Sequence, residues 1–172
     1  NAAKQYDDAA VSAKKAVDLA TASTDPKAKL RLGAWENMLG QAYSKQKGHG
    51  DDAVAAYQAA AQADPPNAAM YYYNMGAVLT NTGKIEDANA AFDKAIAADP
   101  SKADAYYQKG INLMQKATVN SAGKIVPPPG TAESLNKYLE LQPNGPHAGD
   151  AQQILASLGE KVQTSYGKAK KK

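Results

Sequence analysis

Residues 69–102 read AMYYYNMGAVLTNTGKIEDANAAFDKAIAADPSK, and this stretch decides how the chain folds. Tyr72, Met75, Gly76 and Leu79 recur at the three- and four-residue spacing of one helical face. Thr82-Gly83-Lys84 then marks a tight turn. Glu86 and Asp87 follow, where the positive end of a second helix favours acidic side chains. Ala88 and Phe92 carry the packing face of that helix, and Asp99-Pro100 ends it, because proline cannot continue the hydrogen-bond ladder. The stretch thus predicts two helices joined by a turn, with small residues at Gly76 and Ala88 where the two cross and Phe92 with Tyr72 filling the space between neighbours.

The pattern repeats on both sides. Upstream it reads Glu36-x2-Leu39-Gly40-x2-Tyr43, then Ala53-x3-Tyr57, then Pro65, with one extra residue in the turn at 48–50. Downstream it reads Tyr106-x2-Lys109-Gly110-x2-Leu113, then Thr131-x3-Leu135, then Pro143. Lys109 stands there where an apolar residue is expected, and nine inserted residues separate the two halves. Gly40, Gly76 and Gly110 are spaced by 36 and 34 residues. A period near 34 with this small-residue pattern resembles the tetratricopeptide repeat family, bacterial members most closely, over roughly residues 4–158.

That resemblance implies an all-α fold, a right-handed α-α superhelix closed by a C-terminal capping helix. The expected organisation is a half-repeat at 1–24 (second helix only), repeats at 25–66, 67–100 and 101–145, and a capping helix at 146–159. The insertion at 117–130 interrupts the third repeat, and a basic tail expected to be disordered follows at 160–172. Helices are predicted at 4–22, 26–46, 51–63, 67–81, 85–98, 101–116, 131–141 and 146–158. Ala9, Ala13 and Ala16 are the predicted packing positions of the first. Ala148, Ala151, Ile154, Leu155 and Leu158 form one face of the last, with Asp150, Gln152, Gln153 and Ser157 on the other. In the insertion, NSAG is a turn signal between β-prone pieces, and Pro127–Pro129 favour extended polyproline geometry.

Composition agrees with helices that approach closely. Of 172 residues, 36 are Ala, against 24 of Leu, Ile, Val and Phe together. A chain so poor in bulky aliphatics must pack through alanine and its ten tyrosines. The net charge of +3 is too small to favour disorder. No apolar run is long enough to span a membrane, and the absence of cysteine excludes disulfides and thiol chemistry. No signal peptide is visible at Asn1, where the chain looks truncated, so an exported, periplasmic or cytoplasmic location is left open.

Residues able to do chemistry are few. His49 precedes Asp51 and Asp52, but one histidine beside adjacent aspartates matches no common zinc or calcium spacing and reads as a turn before a helix. Gly83-Lys84 and Gly123-Lys124 lack the rest of a phosphate loop. No nucleophile–base pair can be assembled. The expectation is a non-catalytic protein with no cofactor and no metal.

The resemblance implies a concave groove lined by the first helix of each repeat. Aligned on the glycines, the lining is Ala34, Asn37, Met38, Gln41, Ser44 and Lys45 from the first copy. Met70, Tyr73, Asn74, Ala77, Thr80 and Asn81 come from the second, and Asp104, Tyr107, Gln108, Ile111, Met114 and Gln115 from the third. Amides suit a peptide backbone, and Tyr and Met suit its apolar side chains. The three tyrosines 71–73 cannot share one helical face. Tyr72 is predicted in the core, Tyr73 in the groove and Tyr71 against the preceding hairpin.

Family members that clamp a C-terminal carboxylate do so with basic residues, where this chain has Asn37, Tyr73 and Tyr107. The expected partner is a protein or peptide of another kind. The alternative is a self-assembling module pairing through the exposed half-repeat, so a homo-oligomer stays possible. The last thirteen residues hold five lysines and one glutamate, leaving the body at −1. Such a tail can serve nucleic acid or an anionic surface, but nucleic-acid binding is not expected. Within it, VQTSYG is β-prone and uncharged, fit to lie along a groove of its own chain or a neighbour's.

Overall fold

A computed structural model describes residues 2–160. The basic tail predicted at 160–172 lies, from residue 161 onward, outside the described residues. The architecture is all-α, a succession of helical hairpins, and it divides into two compact units at Ala98 and Asp99.

The first unit holds α1 (Ala2–Ala22), α2 (Pro26–Leu30), α3 (Leu32–Ser44), α4 (Gly50–Ala63), α5 (Ala68–Asn81) and α6 (Ile85–Ala98). A single 3-10 turn, Pro65–Asn67, leads into α5. The helices α3 and α4 form one hairpin, α5 and α6 the next, and α1 packs on α3. Phe92, expected with Tyr72 in the space between neighbouring repeats, lies instead on Gly76 of its own hairpin. A Cβ on Gly40 would come within 2.9 Å of the Tyr57 ring, and one on Gly76 within 2.6 Å of the Phe92 ring. Ala53, Ala88 and Phe92 are fully buried beside these contacts. Glycine there lets an aromatic ring lie directly on a helix backbone, which supplies the packing that few aliphatics are left to make.

Loop chemistry follows the sequence. After α5, Gly83 adopts φ 78°, the Gly83 N–H donates to Thr80 and the Lys84 N–H donates to Leu79, closing the helix end with a left-handed glycine. Asp64 accepts hydrogen bonds from Asn67 Nδ2 and Tyr71 Oη, both at 2.8 Å, tying the end of α4 to the first turns of α5.

Three further expectations are corrected. The helix predicted over 26–46 is two helices broken at Arg31. Asp25 caps α2 through the Lys27 N–H, but α2 buries no residue, whereas α3 is anchored by Gly33 against Asp64 and the Ala60 carbonyl. Tyr71, not Tyr72, is the core tyrosine, 2% exposed and bonded to Asp64; Tyr72 is half-buried with the Lys94 ammonium 5.6 Å above its ring. In α1 the buried alanines are Ala10, Ala13 and Ala20, while Ala9 is exposed and Ala16 half-buried.

The second unit holds α7 (Ala103–Met114), β1 (Thr118–Val119), β2 (Ile125–Val126), α8 (Thr131–Leu141) and α9 (Ala148–Ser157). Its hairpin is α7 with α8, and here a Cβ on Gly110 would come within 2.8 Å of Leu135. Leu135, Tyr138, Leu139 and Leu155 are fully buried in one core with Ala103, Tyr107 and Ala151. On α9, Ala148, Ala151, Leu155 and Leu158 are buried and Ile154 half-buried, while Asp150, Gln152, Gln153 and Ser157 face solvent as expected of a cap. The insertion forms a two-stranded antiparallel hairpin pairing Thr118 with Val126 and Val119 with Ile125.

Candidate functional site

The first unit holds an open groove of about 520 Å³. Its walls come from the first helices of two successive hairpins. From α3 come Met38, Gln41, Ala42, Ser44 and Lys45, and from α5 come Asn74, Ala77, Val78 and Asn81. These lie one and two turns apart on each helix, so the helical period itself lines them up. Tyr57 of α4 forms part of the floor; burial pushes its phenol above the ordinary value, while a hydrogen bond with Ser44 pulls the other way. The phenol is therefore neutral at any physiological pH and acts only as a hydrogen-bonding group.

Met38 is 55% exposed, so a large apolar side chain already lies open to an incoming one. Gln41, Lys45 and Asn81 are exposed and Asn74 half-buried. Asn74 Nδ2 donates to Asn37 Oδ1 at 3.4 Å, a long bond joining α5 to α3 and leaving most of both amides' capacity to other partners. Lys45 is the one charged group on the lining, and no carboxylate is among the residues that form it.

Of the residues predicted for a groove, Met38, Gln41, Ser44, Lys45, Asn74, Ala77 and Asn81 line this one. Asn37 is half-buried beside it through the Asn74 bond. Tyr73 is half-buried, its ring tilted against Phe92 at 5.8 Å, and Met70 is exposed farther along α5. Those predicted from the third copy belong to the second unit. There Tyr107 is buried, 9% exposed, and stacked flat on the His147 ring at 4.1 Å, with Tyr138 against it at 5.3 Å. Burial and the nearby Asp150 carboxylate raise its pKa. This corrects the expectation of an open Tyr107: its ring is spent on the α7–α8 core because α9 and its leading His147 cover it. Ile111 is half-buried against the same core, and Gln108 and Met114 are half-buried.

Five lining residues were not predicted: Ala42, Tyr57 and Val78 from the two hairpins, and Tyr6 and Ala9 of α1, which lie three residues apart. The Tyr6 carbonyl accepts from Gln46 Nε2 at 2.9 Å, which fixes the start of α1 against the end of α3. The spacing of Tyr6 and Ala9 was visible in sequence, but alignment on the glycines looks only at first helices and passes over α1.

His49 Nδ1 lies 2.8 Å from Asp52 Oδ2, and its ring stacks on Tyr43 at 5.5 Å. Among the described residues no three histidine or acidic side chains converge as a metal site requires. None of their helices is long and apolar enough to cross a membrane.

A tetratricopeptide repeat family model matches residues 37–103 and 73–116. No curated protein matches the chain. Among solved structures, YrrB, described as a TPR protein with an unusual peptide-binding site, is 24% identical with a TM-score of 0.55. That match covers 70% of this chain and 57% of YrrB, so the chain spans less than two thirds of that relative's length. The MamA RS-1 ArsTM double mutant is 19% identical with a TM-score of 0.51, covering 91% of this chain and 86% of its own. At these identities the likeness concerns the fold.

Proposed function

The chain is a tetratricopeptide repeat protein, an interaction scaffold in kind, and on that footing we propose that its first unit binds an extended peptide in the groove between α3 and α5. The observation that carries the reading is the make-up of the groove: an exposed Met38 beside Tyr6 and Val78, flanked by the amides of Gln41, Asn74 and Asn81. A peptide in extended form offers backbone N–H and C=O groups at regular intervals, and carboxamides satisfy both with one side chain. Met38 adapts its shape to an apolar side chain of the ligand without requiring one particular residue. Lys45 favours a ligand with an acidic group toward the C-terminal end of α3, and the lack of carboxylates on the lining penalises nothing acidic. The chain acts by holding its partner, with no catalytic step. YrrB, which shares the fold, is described as having a peptide-binding site, and this agrees with the reading.

The test is selection of binders from a random linear peptide library, followed by titration against Ala77→Arg, which fills the groove from a half-buried position on α5. The expected result is a Kd raised at least tenfold, about 1.4 kcal/mol, with helical circular dichroism unchanged. Selected peptides that bind Ala77→Arg as tightly as the parent chain would remove the groove from consideration.

A further inference from the structure

We propose that α1 pairs with α1 of a second copy of this chain, antiparallel about a two-fold axis at Val11, in a dimer held by complementary charge. The observation that carries this is the order of charges along the helix. Its six charged residues are Lys4, Asp7, Asp8, Lys14, Lys15 and Asp18. They stand three, four and seven residues to either side of Val11, and each has a counterpart of opposite sign at the same distance on the other side. Lys4 answers Asp18, Asp7 answers Lys15 and Asp8 answers Lys14. Steps of three, four and seven residues return to one side of a helix, so all six surround Val11 on a single face.

That face is the outer one. Ala10 and Ala13 are buried against Leu39, Ala42 and Ala56, whereas the six charged residues are exposed among the described residues and Val11 is 70% exposed. Tyr6 and Ala9, which line the groove, are not part of it. A helix on its own does not favour this order. Its dipole calls for acidic groups at the start and basic ones at the end, yet Lys4 lies in the first turn, Asp18 lies close to the last, and neither end turn has the charge that suits it. Pairing along the helix accounts for Lys14 with Asp18, 3.8 Å apart and both largely exposed. It does not require the second half to reverse the signs of the first.

A two-fold axis does require it. An isologous contact brings residue i of one copy to residue j of the other, and j to i. In an antiparallel pair crossing at Val11, each charged residue therefore meets its counterpart of opposite sign, and each such pair occurs twice. A parallel pair in the same register would set every charge against its own kind, which is disfavoured. Val11 meets its equivalent on the axis, and Leu19, 64% exposed, falls opposite the small side chain of Ala3. One helix pair is smaller than the surface of a stable complex. The dimer is accordingly reversible, and it weakens as salt screens its charges.

Sedimentation equilibrium on the full chain tests this with two charge reversals at counterpart positions. Lys15→Glu sets a carboxylate against Asp7 of the other copy, and Asp7→Lys sets an ammonium against its Lys15. Each variant alone is expected to raise the dimer Kd at least about tenfold. In an equimolar mixture of the two every pair is again of opposite sign, and the mixed dimer is expected to form with a Kd within about threefold of the parent's. Restoration on mixing also shows that both variants are folded. A parent chain that stays monomeric up to about 1 mM would overturn the proposal, since the face would then be solvated or covered within its own chain. So would a dimer indifferent to both reversals, which would pair through another surface, and so would a mixture that associates no better than its components.

Discussion

The α5–α6 hairpin and the α7–α8 hairpin solve one packing problem with different material. In the first, Gly76 faces the Phe92 ring and three residues make the turn; in the second, Gly110 faces Leu135, and sixteen residues holding a β-hairpin and three prolines intervene. The helix pair survives because its register is set by the glycine contact rather than by the connection. Lengthening a loop costs little closure entropy, while the close approach is re-formed wherever a small residue meets a bulky one. The Asp-Pro junctions differ too. Asp64 reaches Tyr71, one turn into the next helix, while the Asp99 carboxylate accepts from the hydroxyl and backbone N–H of Ser101, which hold it below the usual range. At the position matching Tyr71 the next copy has Ala105, fully buried and with nothing to donate.

The largest expected effect breaks the first contrast. Phe92→Ala removes a fully buried ring, and a loss of about 3–5 kcal/mol is expected; Leu135→Ala, also fully buried, is expected to lose about 2–5 kcal/mol. Urea denaturation checks both, and a Phe92→Ala loss below about 1 kcal/mol would mean that the glycine contact does not organise the hairpin.

The second contrast is sharpened by pH. Burial first, then the hydrogen bond and charge of Asp64, push the Tyr71 phenol up to about 12. The unfolded chain releases that proton near pH 10, so between about pH 10 and 12 the native state binds more protons than the unfolded one, and stability falls as pH rises. The contribution is complete below about pH 10. Tyr71→Phe removes the ionisation and should flatten the alkaline decline in urea midpoint relative to the parent chain. An unchanged slope would show that the Tyr71 phenol titrates alike in the folded and unfolded chains.

The smallest effect concerns the insertion. Replacing 118–126 by a Gly-Ser segment of equal length keeps the connection and removes the hairpin, and a stability change within about 0.5 kcal/mol is expected. A loss of several kcal/mol would make the hairpin part of the α7–α8 core.

The repeat was legible because it is written in residues whose size is their function: Gly40, Gly76 and Gly110 announce close approach, whereas that Tyr57, Phe92 and Leu135 lie on them is read from the structure. The turn at Gly83 and the strands either side of NSAG were legible for the same local reason. The groove was only partly so. Met38, Gln41, Asn74 and Asn81 follow from helical phase alone, but Tyr107 carries the same phase and is buried, because α9 brings His147 onto it from forty residues away. Tyr6 and Ala9 reach the groove through packing of α1 on α3, which no repeat period encodes.

What the sequence determined by itself is the class of fold, the helical hairpins and the small residues at which their helices cross, since these depend on spacing within about 35 residues and on side-chain volume. Only tertiary structure decided which tyrosine of 71–73 enters the core, that Asp64 holds it there, and which face of the first helices stays open. Those outcomes depend on neighbours that arrive from other elements, and a side chain's exposure is a property of what covers it rather than of the helix that carries it.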